Sequence, residues 1–246
     1  MENASLINLS SQVALRRQLD VVANNLANLN TSGFKAEQMM FEEYLMPVAE
    51  MDMPRRRDRP MSFVHDLATV RSFEPGRMQP TDNPFDVAIE GDGWFVVQTP
   101  DGERYTRSGN FTMSTEGDLI TPGGYPVMGA NGPTRFGPDD SDILIGRDGT
   151  IASNQGEIGQ LRVVRFETNM DLVPAGDTMF ETDADPLPAA NARVQQGMLE
   201  RSNVQPIIEL SHLIEVTRAY ESSVSNQRRL DDLRRDAINT LGRMPN

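Results

Sequence analysis

Apolar residues along this chain fall into two helical rhythms separated by a long strand-like middle. Near the N-terminal end, Leu6, Leu9 and Val13 recur at spacings of three and four. After a slip of two residues, Leu15, Leu19, Val22, Leu26 and Leu29 continue the pattern. Such spacing places apolar side chains along one face of a helix. This helix is predicted to start behind a cap at Asn3 or Ser5 and to stop near Asn30-Thr31-Ser32-Gly33, where Gly33 accepts the left-handed backbone that ends helices. At the other end, Pro206 suits a first helical turn, with Ser202 or Asn203 just upstream. Ile207, Leu210, Ile214, Thr217 and Val224 then follow the same rhythm, which Leu230, Leu233, Ala237 and Leu241 resume. At ~1.5 Å per residue the two helices span ~38 Å and ~50 Å.

Residues 76–198 change period. Short apolar or alternating runs are bounded by Gly, Asp, Pro or Asn: Phe85–Ile89, Trp94–Val97, Asp118–Ile120, Ile143–Ile145 and Gln160–Phe166. Asp101-Gly102 and Asp148-Gly149 are hairpin-turn dipeptides. Residues 36–75 are mixed: Phe41, Tyr44 and Leu45 suit packing, whereas Pro47, Pro54 and Pro60 interrupt any helix. Arg55, Arg56, Arg57 and Arg59 form a basic cluster there, either a solvated linker or an ionic contact for an acidic neighbour. The expected fold class is therefore α+β: a discontinuous coiled-coil domain from the N- and C-terminal helices, with an inserted, mainly antiparallel β domain. The expected divisions are helix 1–35, extended linker 36–75, β domain 76–198, and helix 199–246 pairing with 1–35.

The apolar stripe on these helices is wider than a two-stranded seam uses. Ile208, Leu213, Val216 and Tyr220 flank the C-terminal seam, and Val21, Ala23 and Ala27 flank the N-terminal one. Either the β domain folds back over this stripe or other copies of the chain cover it. Polar and Pro-rich connections favour other copies.

Composition narrows the field further. The chain has 246 residues, of which 38% are hydrophobic and 6% aromatic. Its net charge is −13. Residues 72–198 hold 8 basic and 20 acidic side chains, net −12, so both ends are near neutral and can pack densely without strong repulsion. No segment offers the basic surface that nucleic acid requires. Cysteine is absent, which excludes disulfides and thiolate metal sites. No run is long and apolar enough for a membrane span. Met1-Glu2-Asn3-Ala4 lacks the basic and apolar regions of a cleaved secretory signal.

Enzyme chemistry finds little support. The two histidines are His65, in the mixed region, and His212, beside Ser211 on the C-terminal helix, where adjacency gives no catalytic geometry. Asp139, Asp140 and Asp142 lack the spacing of a calcium loop and read as a solvated turn. A carboxylate-only hydrolase in the β domain and a secreted binding module are the competing classes. The binding module leaves the matched terminal helices unexplained. No cofactor or metal is expected.

Three segments carry a family likeness. They are Asn24-Asn25-Leu26-Ala27-Asn28-Leu29-Asn30-Thr31-Ser32-Gly33-Phe34-Lys35; Ile89 through Val97 with Tyr105-Thr106-Arg107-Ser108-Gly109-Asn110-Phe111 downstream; and Gln196 through Val204 with Arg218-Ala219-Tyr220-Glu221 downstream. In order and spacing they resemble the bacterial flagellar rod and hook proteins. Gly93-Trp94-Phe95 and Tyr125-Pro126-Val127-Met128-Gly129 resemble the proximal-rod type more than the distal one. The resemblance implies a structural, non-enzymatic subunit in the periplasmic rod of the basal body, exported through the flagellar type III gate without a cleaved signal peptide. It implies a helical tube that encloses the export channel and transmits torque, with the helices inside and the β domain outside. The implied partners are other copies, neighbouring rod subunits, the membrane-embedded base, the distal rod and the export gate.

The residues expected to form the assembly interface are Leu19, Val22, Leu26 and Leu29 on the first helix and Ile207, Leu210, Leu213, Ile214 and Val224 on the second. Arg218 and Tyr220 add hot-spot chemistry. Asn24 and Asn25 lie too early for helix capping, Asn28 sits at the helix end, and Gly33 and Phe34 turn and anchor the exit.

Overall fold

The computed structural model describes residues 2–46 and 61–241. The arginine cluster at 55–59 lies outside the described residues, as do the side chains of Phe41, Tyr44, Leu45 and His65. Two compact units emerge, a helical one and a β unit made of Asn28–Ala36 and Arg71–Val204.

The helical unit contains α1 (Glu2–Ala27), β1 (Glu37–Met46), all of β2 (Met61–Arg71) but its last residue, and α2 (Pro206–Leu241). α1 starts before Asn3 and Ser5, so both lie within the helix, and it ends at Ala27, ahead of the expected stop. α2 opens on Pro206, and the Gln205 carbonyl accepts its first bond from the Glu209 amide (3.0 Å). Gln205, not Ser202 or Asn203, is the residue at its entrance. β1 and β2 pair as a two-stranded sheet where a linker was expected.

The helices pack against each other in a register set by polar groups. The Asn8 amide donates to the Ser223 carbonyl and to Gln227 Oε1 (both 3.2 Å), and the Ser223 hydroxyl donates back to Asn8 Oδ1. With Asn8 opposite 223–227, α1 reaches the first half of α2 only by running antiparallel to it. Covered positions recur at Asn8, Ser11, Ala14, Leu15, Gln18, Val22 and Asn25 on α1, and at Leu213, Val216, Tyr220, Ser223, Gln227 and Leu230 on α2. The C-terminal seam keeps part of the expected one, since Thr217, Val224 and Leu230 are half-buried, and differs in the rest. Leu213, Val216 and Tyr220, expected as flanks, form it, and Ile207, Leu210 and Ile214 turn outward. One residue is about 100° of rotation, so a broad apolar stripe contains several possible seams. The Asn8 hydrogen bonds select one of them.

The β unit is built on a six-stranded antiparallel sheet. Its strand order is Val173–Pro174, Met179–Glu181, β6 (Gly102–Thr106), β5 (Trp94–Thr99), Val163–Arg165 and Leu187–Pro188. Val96 faces Tyr105 and Thr99 faces Gly102 across a tight turn at Pro100-Asp101. β5 is buried on both faces: Phe95 and Val97 enter one apolar cluster with Val87, Ile89, Leu119 and Val127, while Trp94 and Val96 enter a second with Tyr105, Phe166 and Phe180. That explains the unbroken apolar run from Trp94 to Val97, which alternation alone does not require. The run Gln160–Phe166 is not one strand. It splits into Gly156–Gln160 and Val163–Arg165, because Leu161 and Arg162 donate instead to the Gly149 and Met128 carbonyls. Two outlying pairs close the unit: Arg193–Gln196 on β4 (Val87–Glu90), and Met198–Glu200 on β3 (Met78–Pro80).

Candidate assembly interface

The helical unit leaves a large apolar surface uncovered. Ile207 is 80% exposed, Ile214 52% and Leu210 50%, and the three lie within about 60° of one another around α2. On α1, Leu9 and Val13 are also about half exposed. Apolar side chains spaced this way on one helix face form a candidate docking surface. Arg218 is exposed as well. Leu213, Tyr220 and Val224 are half-buried within the unit, as are Leu19 and Leu26, and Val22 is buried.

The asparagines serve the chain itself. Asn25 is 1% exposed, and its amide both donates to the Glu37 carbonyl and accepts from the Glu37 amide (2.9 Å each). It fastens the start of β1 to the end of α1. Asn24 is exposed and donates to the Glu37 carboxylate (3.2 Å). Asn28 closes the following turn, accepting from the Thr31 hydroxyl (3.1 Å) and amide (3.2 Å).

In the β unit, Gly33 and Phe34 are also covered by the chain itself. Phe34 packs with Leu29, Ala36 and Val204 in a small apolar cluster. Gly33 has φ +68°, and a Cβ there would lie 2.3 Å from the Ser108 nitrogen, so the position needs glycine twice over. Asn25, Gly33 and Phe34 are therefore internal, which corrects their expected place at the interface.

Around them the three sequence motifs meet. Lys35 Nζ donates to Glu200 Oε1 (2.7 Å) and to the Glu74 carbonyl (2.8 Å), and the Lys35 and Glu200 side chains are each 1% exposed. Arg107 reaches the other Glu200 oxygen (3.5 Å) and donates to the Ile89 (3.1 Å) and Gly91 (2.7 Å) carbonyls. Its guanidinium lies over the Trp94 ring (5.6 Å), which also stacks edge-on with Phe73 and Phe180. Asn203 accepts from the Ala36 amide (2.7 Å) and donates to the Ser72 (2.8 Å) and Glu74 (3.1 Å) carbonyls. Burial pulls the Lys35 ammonium and the Arg107 guanidinium below their ordinary pKa ranges, and Glu200 opposes both shifts.

This clasp was not predicted. Lys35, Arg107 and Glu200 stand far apart in sequence, and no spacing rule joins them. The available signal was weak: the first motif carries one charged residue, Lys35, but the second and third carry several of both signs.

The acidic turn has a structural use. Asp140 accepts from the Gly137 amide and the Ser153 hydroxyl, both at 2.6 Å, which lowers its pKa. His212 is exposed on α2.

Comparison with known proteins gives the same order of segments. Residues 7–35 match the family model "Flagella basal body rod protein", 88–153 match "Flagellar hook protein FlgE/F/G D1 domain", and 195–240 match "Flagellar basal body rod FlgEFG protein C-terminal". The flagellar basal-body rod protein FlgF of Caulobacter vibrioides is 40% identical over 99% of this chain and the whole of its own length. The chain belongs to the flagellar basal-body rod proteins. FlgF of Mesorhizobium japonicum is 34% identical over 98% of this chain and 99% of its own, and FlgG of Agrobacterium fabrum is 34% identical over 85% and 87%. The fuller alignment with FlgF supports the proximal-rod type expected from the region around Trp94. The rod protein is a structural subunit of the flagellar basal body. Each of the three family segments contributes to the clasp: Lys35 from the first, Arg107 from the second, and Glu200 with Asn203 from the third.

Proposed function

We propose that this rod protein forms part of the proximal rod in the periplasm, where copies and neighbouring rod subunits bury the outward faces of α1 and α2. In this reading the two helices make a coiled-coil layer around the export channel, and the tube transmits torque from the membrane-embedded base to the distal rod. The subunit reaches its place unfolded through the type III export gate, without a cleaved signal peptide.

The observation that carries this reading is the exposure of Ile207, Leu210 and Ile214 on α2. Covering a half-exposed aliphatic side chain contributes about 1 kcal/mol. One such contact is too weak to offset the entropy of association, but several per subunit, repeated around a lattice, hold a stable tube. The polar seam at Asn8, Ser223 and Gln227 fits the same reading, since it fixes a register within the subunit and leaves the apolar faces for others.

Deletion of residues 2–27 tests it. The shortened subunit is expected to be soluble with a folded β unit, and to be missing from isolated basal bodies imaged by electron microscopy. Normal rods containing the shortened subunit would refute the assignment.

A further inference from the structure

We propose that Glu200 is a positioning residue for assembly, whose carboxylate fixes the two points at which the chain leaves the β unit for its terminal helices. The inference rests on the rod-subunit reading given above.

Glu200 gathers both exits. Its side chain holds Lys35, in the segment that follows α1, and accepts from the Gly76 amide (2.9 Å); its carbonyl accepts from the Gly33 amide (2.8 Å). Three residues on, Asn203 holds the Ala36 amide and sits two residues before Gln205 at the entrance to α2. The packing leaves no slack here: a Cβ on Gly76 would lie 1.8 Å from the Arg201 carbonyl oxygen.

The cluster is also charge-asymmetric. Two cations, Lys35 and Arg107, share one carboxylate, and carbonyl oxygens of Glu74, Ile89 and Gly91 complete the balance. Removing Lys35 leaves a matched pair, whereas removing the Glu200 charge leaves the buried Lys35 without a counter-ion and the buried Arg107 with only the exposed Asp92 carboxylate. Lys35 and Glu200 lie outside the apolar clusters that hold β5, and Arg107 touches them only at Trp94, so loosening the clasp frees the exits before it unfolds the sheet.

The test uses the full chain with Glu200→Gln, Lys35→Met and the double variant, read by amide hydrogen exchange on free subunits and by incorporation into rods. In Glu200→Gln, exchange at Gly33, Ala36 and Gly76 is expected to speed up about a hundredfold or more, with β5 and β6 unchanged and rod incorporation lost. Lys35→Met is expected to be milder in both readouts, and adding it to Glu200→Gln should partly restore incorporation by removing one stranded cation. The proposal is overturned if Glu200→Gln incorporates normally, if exchange at the exits is unchanged, if Lys35→Met is as damaging as Glu200→Gln, or if β5 and β6 lose protection in both Glu200→Gln and the double variant. The exchange arm needs no rod, so its failure is separate from failure of the rod reading, which the 2–27 deletion addresses.

Discussion

In the β unit, Val87, Phe95, Val97, Leu119 and Val127 are fully buried, whereas on α2 Ile207, Leu210 and Ile214 are half exposed or more. The same kinds of side chain meet opposite fates in one chain. The β unit closes two apolar clusters with its own strands and ties its ends with a buried ionic clasp. The helical unit joins its helices through a seam that includes Asn8, Ser11, Gln18, Ser223 and Gln227, and turns larger aliphatic residues outward. Half-buried polar groups in a helix seam specify register at the expense of stability. One unit thus covers its large aliphatic side chains within the subunit, and the other leaves several of them exposed.

The comparison breaks most readily at α2. Leu210→Asp and Ile214→Asp should each abolish rod incorporation and motility, because a carboxylate in an intersubunit apolar contact costs several kcal/mol when buried. The thermal midpoint of the β unit should move by less than about 1 °C, since neither residue contributes to its core. A clear fall in that midpoint would make the exposed stripe part of the globular fold.

Glycine substitution in the β unit asks the converse. A Cβ on Gly109 would lie 1.7 Å from the Val87 carbonyl oxygen. Gly109→Ala should destabilise the β unit by about 3 kcal/mol, read by denaturant unfolding followed through Trp94 fluorescence. The helical signal of the free subunit should hardly change. Equal loss in both units would mean that they unfold as one.

The smallest effect is on acid stability. Asp140 has a lowered carboxyl pKa, held by the Ser153 hydroxyl and the Gly137 amide. A depressed carboxyl pKa contributes stability that is present above the unfolded value and lost as pH falls through the folded one. Asp140→Asn should therefore flatten the acid limb of β-unit stability below about pH 4 and change little at neutral pH.

Much of the architecture was legible from hydrophobic period alone. The two terminal helices and the β-rich insert follow from the switch between a period near 3.6 and short runs bounded by turn residues. Which face of α2 meets α1 was not legible, because its apolar stripe is broad and the register is chosen by Asn8, a polar residue that no apolar pattern counts. The strands at 37–46 and 61–71 were hidden by the prolines between them, which argue against a helix and say nothing of extended pairing. The clasp was illegible for a different reason: Lys35, Arg107 and Glu200 become neighbours only through the sheet topology. The apolar stripe on α2 was readable, since its spacing is local. Asn25 and Phe34 were placed at that interface because their partners, Glu37 and Val204, come from other elements.

The account depends on neighbours covering the outward face of α2. Amide hydrogen exchange over residues 207–216, compared between dilute monomer and assembled rods, tests this most directly. Protection at least about a thousandfold greater in the rod than in the monomer is expected. Strong and equal protection in a dilute monomer that does not associate would contradict it.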